Sequence, residues 1–266
     1  MTAYEGFTTL LVEKKEKYVI VTLNRPKVMN TMNDAMKEEL VTLFRALEKD
    51  PEVFGVILTG EGRAFCAGTD VSQGQNAGGN PLLNMRDYVG WSHDVYSVIE
   101  SYPHPVIAAV NGYALGGGTE LCLVSDLRIA STAAVFGLPE SNLGVIPCYG
   151  GTQRLPRLIG TGYAKDLIFT GRHVKAEEAK EMRLVNEVVA PEELMNAAES
   201  KMQQIVAKAP LAVKLAKAAI NKGVEMPLHY ALEMEMDMTG LLAGTEDARE
   251  GGMAFFQKRP PEFKNK

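Results

Sequence analysis

The sequence predicts an α/β fold in which parallel strands alternate with helices, followed by a purely helical C-terminal region. Three observations carry this expectation. Short apolar or β-branched segments at 18–23 (YVIVTL), 54–59 (FGVILT) and 106–110 (VIAAV) are bounded by charged residues, Gly or Pro, as strands are. The segments between them have helical spacing, and strand–helix–strand order favours parallel pairing. No strand signal follows about residue 190.

In chain order, Tyr18–Leu23 is the first predicted strand, closed by Asn24-Arg25-Pro26. Asn33 offers an N-cap, and Met36, Leu40, Leu43, Phe44 and Leu47 fall on one helical face. Phe54–Thr59 is the next strand, ended by Gly60-Glu61-Gly62. The polar, glycine-rich stretch 72–80 (SQGQNAGGN) reads as a surface loop. Leu82–Glu100 reads as a helix with Leu82, Met85, Val89, Val95, Val98 and Ile99 facing inward. Pro103 and Pro105 separate it from the strand Val106–Val110. Beyond residue 190, the segments 191–208, 210–222 and 227–243 each begin at Pro and read as helices.

Composition narrows the function classes. The 266 residues are 46% hydrophobic and 23% charged, enough for a globular core without disulfide or metal staples. Lys plus Arg is 28 against 33 for Asp plus Glu, a net charge of −5. That balance argues against general nucleic-acid binding, which needs a surplus of cations. Three cysteines without CxxC spacing suit a reducing compartment. Glu5 interrupts what a signal peptide would need to be apolar, and no window reaches 18 uninterrupted apolar residues. A soluble cytoplasmic protein, without membrane or nucleic-acid partners, is expected.

The glycine clusters are not nucleotide loops. Gly60-Glu61-Gly62 misses the dinucleotide fingerprint because Phe65 stands at the third glycine, and Gly116-Gly117-Gly118 is followed by no Lys. No GxSxG elbow is present. The four histidines lack ligand spacing, and no metal site is expected. What remains is ALGGGTEL (114–121), a strand-to-helix turn whose free N–H groups can face an acceptor. The loop 63–70 (RAFCAGTD) follows a strand of the same expected sheet. Ligands collect at the carboxyl edges of such sheets, and two N–H groups from two loops could form an oxyanion hole. A tight helix–sheet contact explains the glycines equally well. Glu120 and Glu140 lie among small and apolar neighbours. Burial would raise their pKa toward acid–base use; a helix-start acid and a turn cap are their plainer roles.

Four segments, AFCAGTDV (64–71), AAVNGYALGGGTEL (108–121), FGLPESNLGVIP (136–147) and GGTQRLPRLIG (150–160), resemble the motifs of the crotonase superfamily of enoyl-CoA hydratases and isomerases. The resemblance runs from NRPKVMN (24–30) to AFFQKR (254–259) and is nearest to bacterial short-chain enoyl-CoA hydratases. It implies a spiral of ββα units over residues 1–190, carrying the CoA and active sites. A helical trimerisation module would span 191–266, assembled as a trimer or a dimer of trimers.

By the same resemblance, Thr69 and Gly117 supply the oxyanion-hole N–H groups, and Glu120 and Glu140 are the two catalytic acids. Lys27, Val28, Met29, Ala67, Asp70, Val71 and Ser72 would line the CoA site, with Phe255 and Lys258 reaching CoA from a neighbouring subunit. The implied reaction is syn addition of water to a 2-enoyl-CoA in fatty-acid metabolism, giving a 3-hydroxyacyl-CoA. CoA is then part of the substrate and no separate cofactor is needed. Glu120, as carboxylate, would deprotonate water attacking C3, and protonated Glu140 would deliver a proton to C2. The chain departs from many hydratases at Thr119, Leu138 and Cys148-Tyr149, and the last pair is expected to reshape the acyl pocket. A Δ3,Δ2- or dienoyl-CoA isomerase, a hydratase of a branched or cyclic dienoyl-CoA, and an RNA-binding homologue are the alternatives that the resemblance leaves open.

Overall fold

The computed structural model describes residues 4–70 and 81–266. Its elements begin with β1 (Leu10–Lys14), β2 (Val19–Leu23), α1 (Asp34–Leu47), β3 (Val56–Gly60), β4 (Ala64–Cys66) and α2 (Pro81–Glu100). There follow β5 (Val106–Val110), β6 (Tyr113–Leu115), α3 (Gly117–Leu123), β7 (Leu127–Ser131) and β8 (Val135–Gly137). The remainder is α4 (Gly151–Ile159), α5 (Thr161–Thr170), β9 (Val174–Lys175), α6 (Ala176–Glu181), β10 (Glu187–Val189), α7 (Leu194–Val206), α8 (Pro210–Gly223), α9 (Leu228–Ala243) and α10 (Glu246–Gln257).

The strands form two sheets. The larger has the order β1-β2-β3-β5-β7-β10, the smaller β4-β6-β8-β9. All pairs of the large sheet are parallel except β1 with β2. In the small sheet β4, β6 and β8 are parallel and β9 closes it antiparallel. Each pair of strands, β3/β4, β5/β6 and β7/β8, contributes one member to each sheet. The helices α2 and α3 follow the first two pairs. This is the expected spiral of ββα turns.

The central strands β2, β3 and β5 of the large sheet are buried on both faces, which is why they read as continuous apolar runs. Side chains alternate across it. Val19, Val21, Leu23, Val56, Leu58, Val106, Ala108 and Val110 join the main core. Ile20, Ile57, Ile107, Ala109 and Ile129 point to the other side. There they meet Leu194, Ala198, Met202 and Val206, one stripe of α7. The expected α1 face is buried throughout, and the Asn33 side chain caps that helix by accepting the Met36 N–H at 3.0 Å.

Two expectations are corrected. Met85, read as inward, is 57% exposed, because the first turns of α2 project beyond the core; the buried face of α2 begins at Ser92 and continues through Val95, Tyr96 and Ile99. The motif loops, moreover, do not follow directly on the strands of the large sheet. The three-residue strands β4, β6 and β8 intervene.

Past α7, burial within the chain nearly stops. Pro210 is the one buried residue of α8 and α9 has none. Ile220, Val224, Leu228, Met236, Leu241, Phe255 and Phe256 all expose most of their surface. No helix among the described residues is long and apolar enough to cross a membrane.

Candidate active site

The carboxyl ends of the three parallel strands of the small sheet converge. The segment after β4 carries Thr69, the turn after β6 carries Gly117 and Glu120, and the segment after β8 carries Glu140. Sequence reasoning placed the loops of Thr69 and Gly117 at the edge of the large sheet, and the structure moves them to the edge of the small one. Strands this short have too few residues to show alternation.

Thr69 and Gly117 are neighbours. A Cβ built on Gly117 would lie 3.5 Å from Thr69 Oγ1, and one built on Gly68 would lie 3.6 Å from the Gly117 nitrogen. No turn, loop or cap among the described residues supplies an acceptor for the Thr69 or Gly117 N–H. Two of the glycines are required by this closeness. Gly116 has φ +51°, and a Cβ there would meet Glu140 Oε1 at 2.9 Å. A Cβ on Gly118 would run into the Cys66 carbonyl.

Glu120 is 1% exposed. Its Oε1 accepts the N–H groups of Tyr149 and Gly151, each at 2.8 Å, while Oε2 is buried without a hydrogen-bond partner. Burial pushes its pKa up from 4.5 to about 7; the Gly151 and Tyr149 N–H groups pull down, and the Glu140 charge adds to the rise. Glu140 sits in a 3₁₀ turn, Pro139–Leu143, after β8. Its Oε2 is likewise buried and unpartnered, and burial raises its pKa. Thr119, one of the departures, ties β6 to β8: its hydroxyl donates to the Ala114 carbonyl at 2.6 Å and accepts the Gly137 N–H at 3.2 Å. Two carboxyl groups, each with one oxygen free and a raised proton affinity, thus flank a pair of free N–H groups. Such a set can take a proton from one atom and give one to another.

The remaining predicted residues divide. Ala67 donates its N–H to the Met29 carbonyl at 2.9 Å, and Met32 pairs with Thr69 as an isolated bridge. This joins the Lys27–Val28–Met29 turn to the Ala67–Asp70 segment. Lys27 and Val28 are exposed there, and Asp70 is paired with Arg25 at 3.0 Å. Cys148 is half-buried beside the two glutamates, and burial raises its thiol to about 11. Tyr149 is buried, stacked on Tyr96 with ring centroids 5.2 Å apart, and its hydroxyl accepts from Thr69 Oγ1 at 3.2 Å. Phe255 and Lys258 lie at the exposed end of α10, where Phe255 touches Phe256. Within one chain no hydrogen bond or ring contact among the described residues connects them to the glutamates. Val71 and Ser72 lie outside the described residues.

Four side chains that sequence reasoning did not single out complete the surroundings. Tyr96 donates its hydroxyl to the Gly117 carbonyl at 2.9 Å. Arg154 donates to the Tyr149 carbonyl at 3.0 Å and is paired with Glu100, fixing the segment that holds Glu120. Lys37 and Ser92 lie behind Tyr149, hydrogen-bonded to each other at 2.9 Å. Among the described residues, no group of three or more His, Cys, Asp or Glu side chains is placed to hold a metal ion.

The family model for enoyl-CoA hydratase/isomerase matches residues 13–266. The chain belongs to that family. It is 45% identical over 259 residues to the short-chain enoyl-CoA hydratase of Clostridium acetobutylicum, covering 97% of this chain and 98% of that one. It is 43% identical to the crotonyl-CoA hydratase of Syntrophomonas wolfei, covering 99% and 100% of the two chains. The crystal structure of an enoyl-CoA hydratase from Bacillus anthracis superposes with a TM-score of 0.92 at 42% identity, covering 97% of this chain and all of that one. In this family frame, the ββα spiral and its C-terminal helices are shared with solved hydratases, and the glutamate pair lies where the small-sheet strands end.

Proposed function

We propose that this chain is an enoyl-CoA hydratase, a hydro-lyase that adds water syn across a short 2-enoyl-CoA of the crotonyl-CoA kind. One observation carries the reading: two carboxyl groups, each with a buried oxygen that has no partner and a raised proton affinity, beside two N–H groups without an acceptor among the described residues. Names of the relatives support it, since two similar chains are a short-chain enoyl-CoA hydratase and a crotonyl-CoA hydratase.

In this mechanism the thioester oxygen accepts from the Thr69 and Gly117 N–H groups, drawing electron density from the alkene toward an enolate. An oxyanion donor of this kind contributes roughly 2.7–4 kcal/mol to the transition state. Glu120 keeps one oxygen on two N–H donors, which favours its carboxylate, and its free oxygen takes a proton from the water that attacks C3. Glu140, whose proton affinity burial raises against the pull of its own backbone N–H, gives a proton to C2. The two acids act as a coupled pair, and their roles reverse in dehydration.

Lys27, Val28, Met29, Ala67 and Asp70 are assigned to the CoA side of this site. Cys148 and Tyr149 are assigned to its acyl side, where they take space that smaller residues would leave open. The exposed apolar surface of α8 to α10 is assigned to assembly into a trimer or a dimer of trimers, which would bring Phe255 and Lys258 to a neighbour's CoA. The test is crotonyl-CoA incubated with the protein in deuterium oxide. A 3-hydroxybutyryl-CoA product carrying one deuterium at C2, placed syn to the hydroxyl, is expected. Proton exchange without a hydroxylated product would replace hydration by isomerase chemistry.

A further inference from the structure

Lys37 is a buried cation that the proposed reaction does not use. It belongs to α1, it is 0% exposed, and it makes no salt bridge among the described residues. Its Nζ donates to the Tyr88 hydroxyl at 2.8 Å and to Ser92 Oγ at 2.9 Å. It also faces the rings of Tyr88, Trp91 and Tyr149 at 4.3, 5.1 and 5.1 Å from their centroids. Burying an ammonium costs free energy that the attraction of Asp34, the cation–π contacts and two hydrogen bonds offset only in part, since burial still lowers its pKa. An apolar residue at position 37 would extend the buried stripe of α1 without that cost.

What the ammonium adds is a link to the reacting centre. Ser92 accepts from Lys37 at 2.9 Å, and the Lys37 ammonium lies 5.1 Å from the centre of the Tyr149 ring. The Tyr149 phenol oxygen accepts from Thr69 Oγ1. The Tyr149 N–H holds Glu120 Oε1, and the Tyr149 ring stacks on Tyr96, whose hydroxyl holds the Gly117 carbonyl. Tyr149 therefore touches both sides of the proposed oxyanion hole and one of the two acids, and Lys37 sits behind it.

We propose that Lys37 is a positioning residue: held by Ser92 and set against the Tyr149 ring, it fixes the Tyr149 phenol, and through that phenol the loop presenting the Thr69 N–H to the thioester oxygen. This rests on the hydratase reading of the site. Removing the ammonium takes away the cation–π contact that holds the Tyr149 ring, and with it the placement of the phenol oxygen that Thr69 Oγ1 reaches.

The groups facing Lys37 are Asp34 on its own helix, which accepts from Tyr88, then Tyr88, Trp91 and Ser92 on α2, and Cys148 and Tyr149 on the segment before α4. Burial lowers the Lys37 pKa to about 8, whereas Cys148 and Tyr149 are raised to about 11 and about 12. Between pH 6.5 and 9.5 Lys37 is thus the cation of these contacts that changes charge; Glu120, with a pKa of about 7, titrates in wild type and Lys37→Met alike.

The test compares wild type with Lys37→Met, Ser92→Ala, Tyr149→Phe and the double variant Lys37→Met/Tyr149→Phe on crotonyl-CoA, with Glu140→Gln as the control for the hydratase reading. Methionine has similar length, and replacing a buried charge by an apolar group is often tolerated. Ser92→Ala carries the same question should Lys37→Met not fold. Each single variant is expected to lower kcat about 5- to 20-fold at pH 6.5 with KM changed less than about 2-fold, and the double variant to be no more than about 2-fold worse than either single one. The ratio of wild-type to Lys37→Met kcat is expected to fall at least about 2-fold by pH 9.5, as the wild-type ammonium loses its proton. Wild-type kcat in folded Lys37→Met and Ser92→Ala, multiplying losses in the double variant, or a rise confined to KM would each overturn the inference. If Glu140→Gln still loses turnover, the hydratase reading survives that failure.

Discussion

Replacing Glu120 by Gln is expected to stabilise the protein increasingly as pH rises. The Glu120 carboxyl is nearly inaccessible, and burial moves its pKa from 4.5 to about 7. A carboxyl whose folded pKa is raised binds its proton more tightly in the native state, so stability falls as pH climbs from about 4.5 to about 7 and is level above that. At about 1.4 kcal/mol per tenfold change in proton affinity, the full cost of ionising Glu120 in place is about 3 kcal/mol. Glutamine ionises in neither state. Its stability gain over Glu120 should be about 1 kcal/mol at pH 5 and about 3 kcal/mol at pH 8. Any fixed cost of packing the amide against the Tyr149 and Gly151 N–H groups is the same at both pH values and cancels. Urea denaturation of both proteins at equal concentration measures it. Parallel stabilities between pH 5 and pH 8 would refute the claim that burial, acting on Glu120, tunes this site.

Two further outcomes follow from the geometry. Gly116→Ala should lose about 1–2 kcal/mol of stability because its φ is +51°, and at least about 10-fold in kcat because the new Cβ displaces the Glu140 carboxyl; circular dichroism melts and steady-state kinetics check both. Light scattering at micromolar concentration should return three or six copies of the chain, and a monomer would leave the exposed apolar residues of α8 to α10 without the assembly role assigned to them.

The centre of the large sheet, β2, β3 and β5, was legible because those strands are apolar on both faces, as Val56, Ile57 and Leu58 show, whereas β1, β7 and β10 carry charged residues and were not read. Helix α1 was legible through its N-cap and its stripe from Met36 to Leu47. The small sheet was not. Ala64–Cys66, Tyr113–Leu115 and Val135–Gly137 are each too short for a period to register, and their pairing is fixed by contacts between distant segments. Met85 misled because a helical stripe extends past the point where the core stops. The glutamates and glycines of the site stood out chemically, since acids among apolar neighbours and three adjacent glycines are costly unless used. Lys37 gave no such signal. A lysine beside an apolar stripe is ordinary, and only the fold brings Tyr88, Trp91, Ser92 and Tyr149 around it.

The central claim is that Glu120 and Glu140 work as a pair on an enoyl thioester held by Thr69 and Gly117. Its most direct test is the loss of enoyl-thioester absorbance when crotonyl-CoA meets wild type, Glu120→Gln or Glu140→Gln. The predicted result is rapid hydration by wild type and a fall in kcat of at least about 100-fold in each variant, with KM little changed. Turnover at the wild-type rate in either folded variant would contradict it.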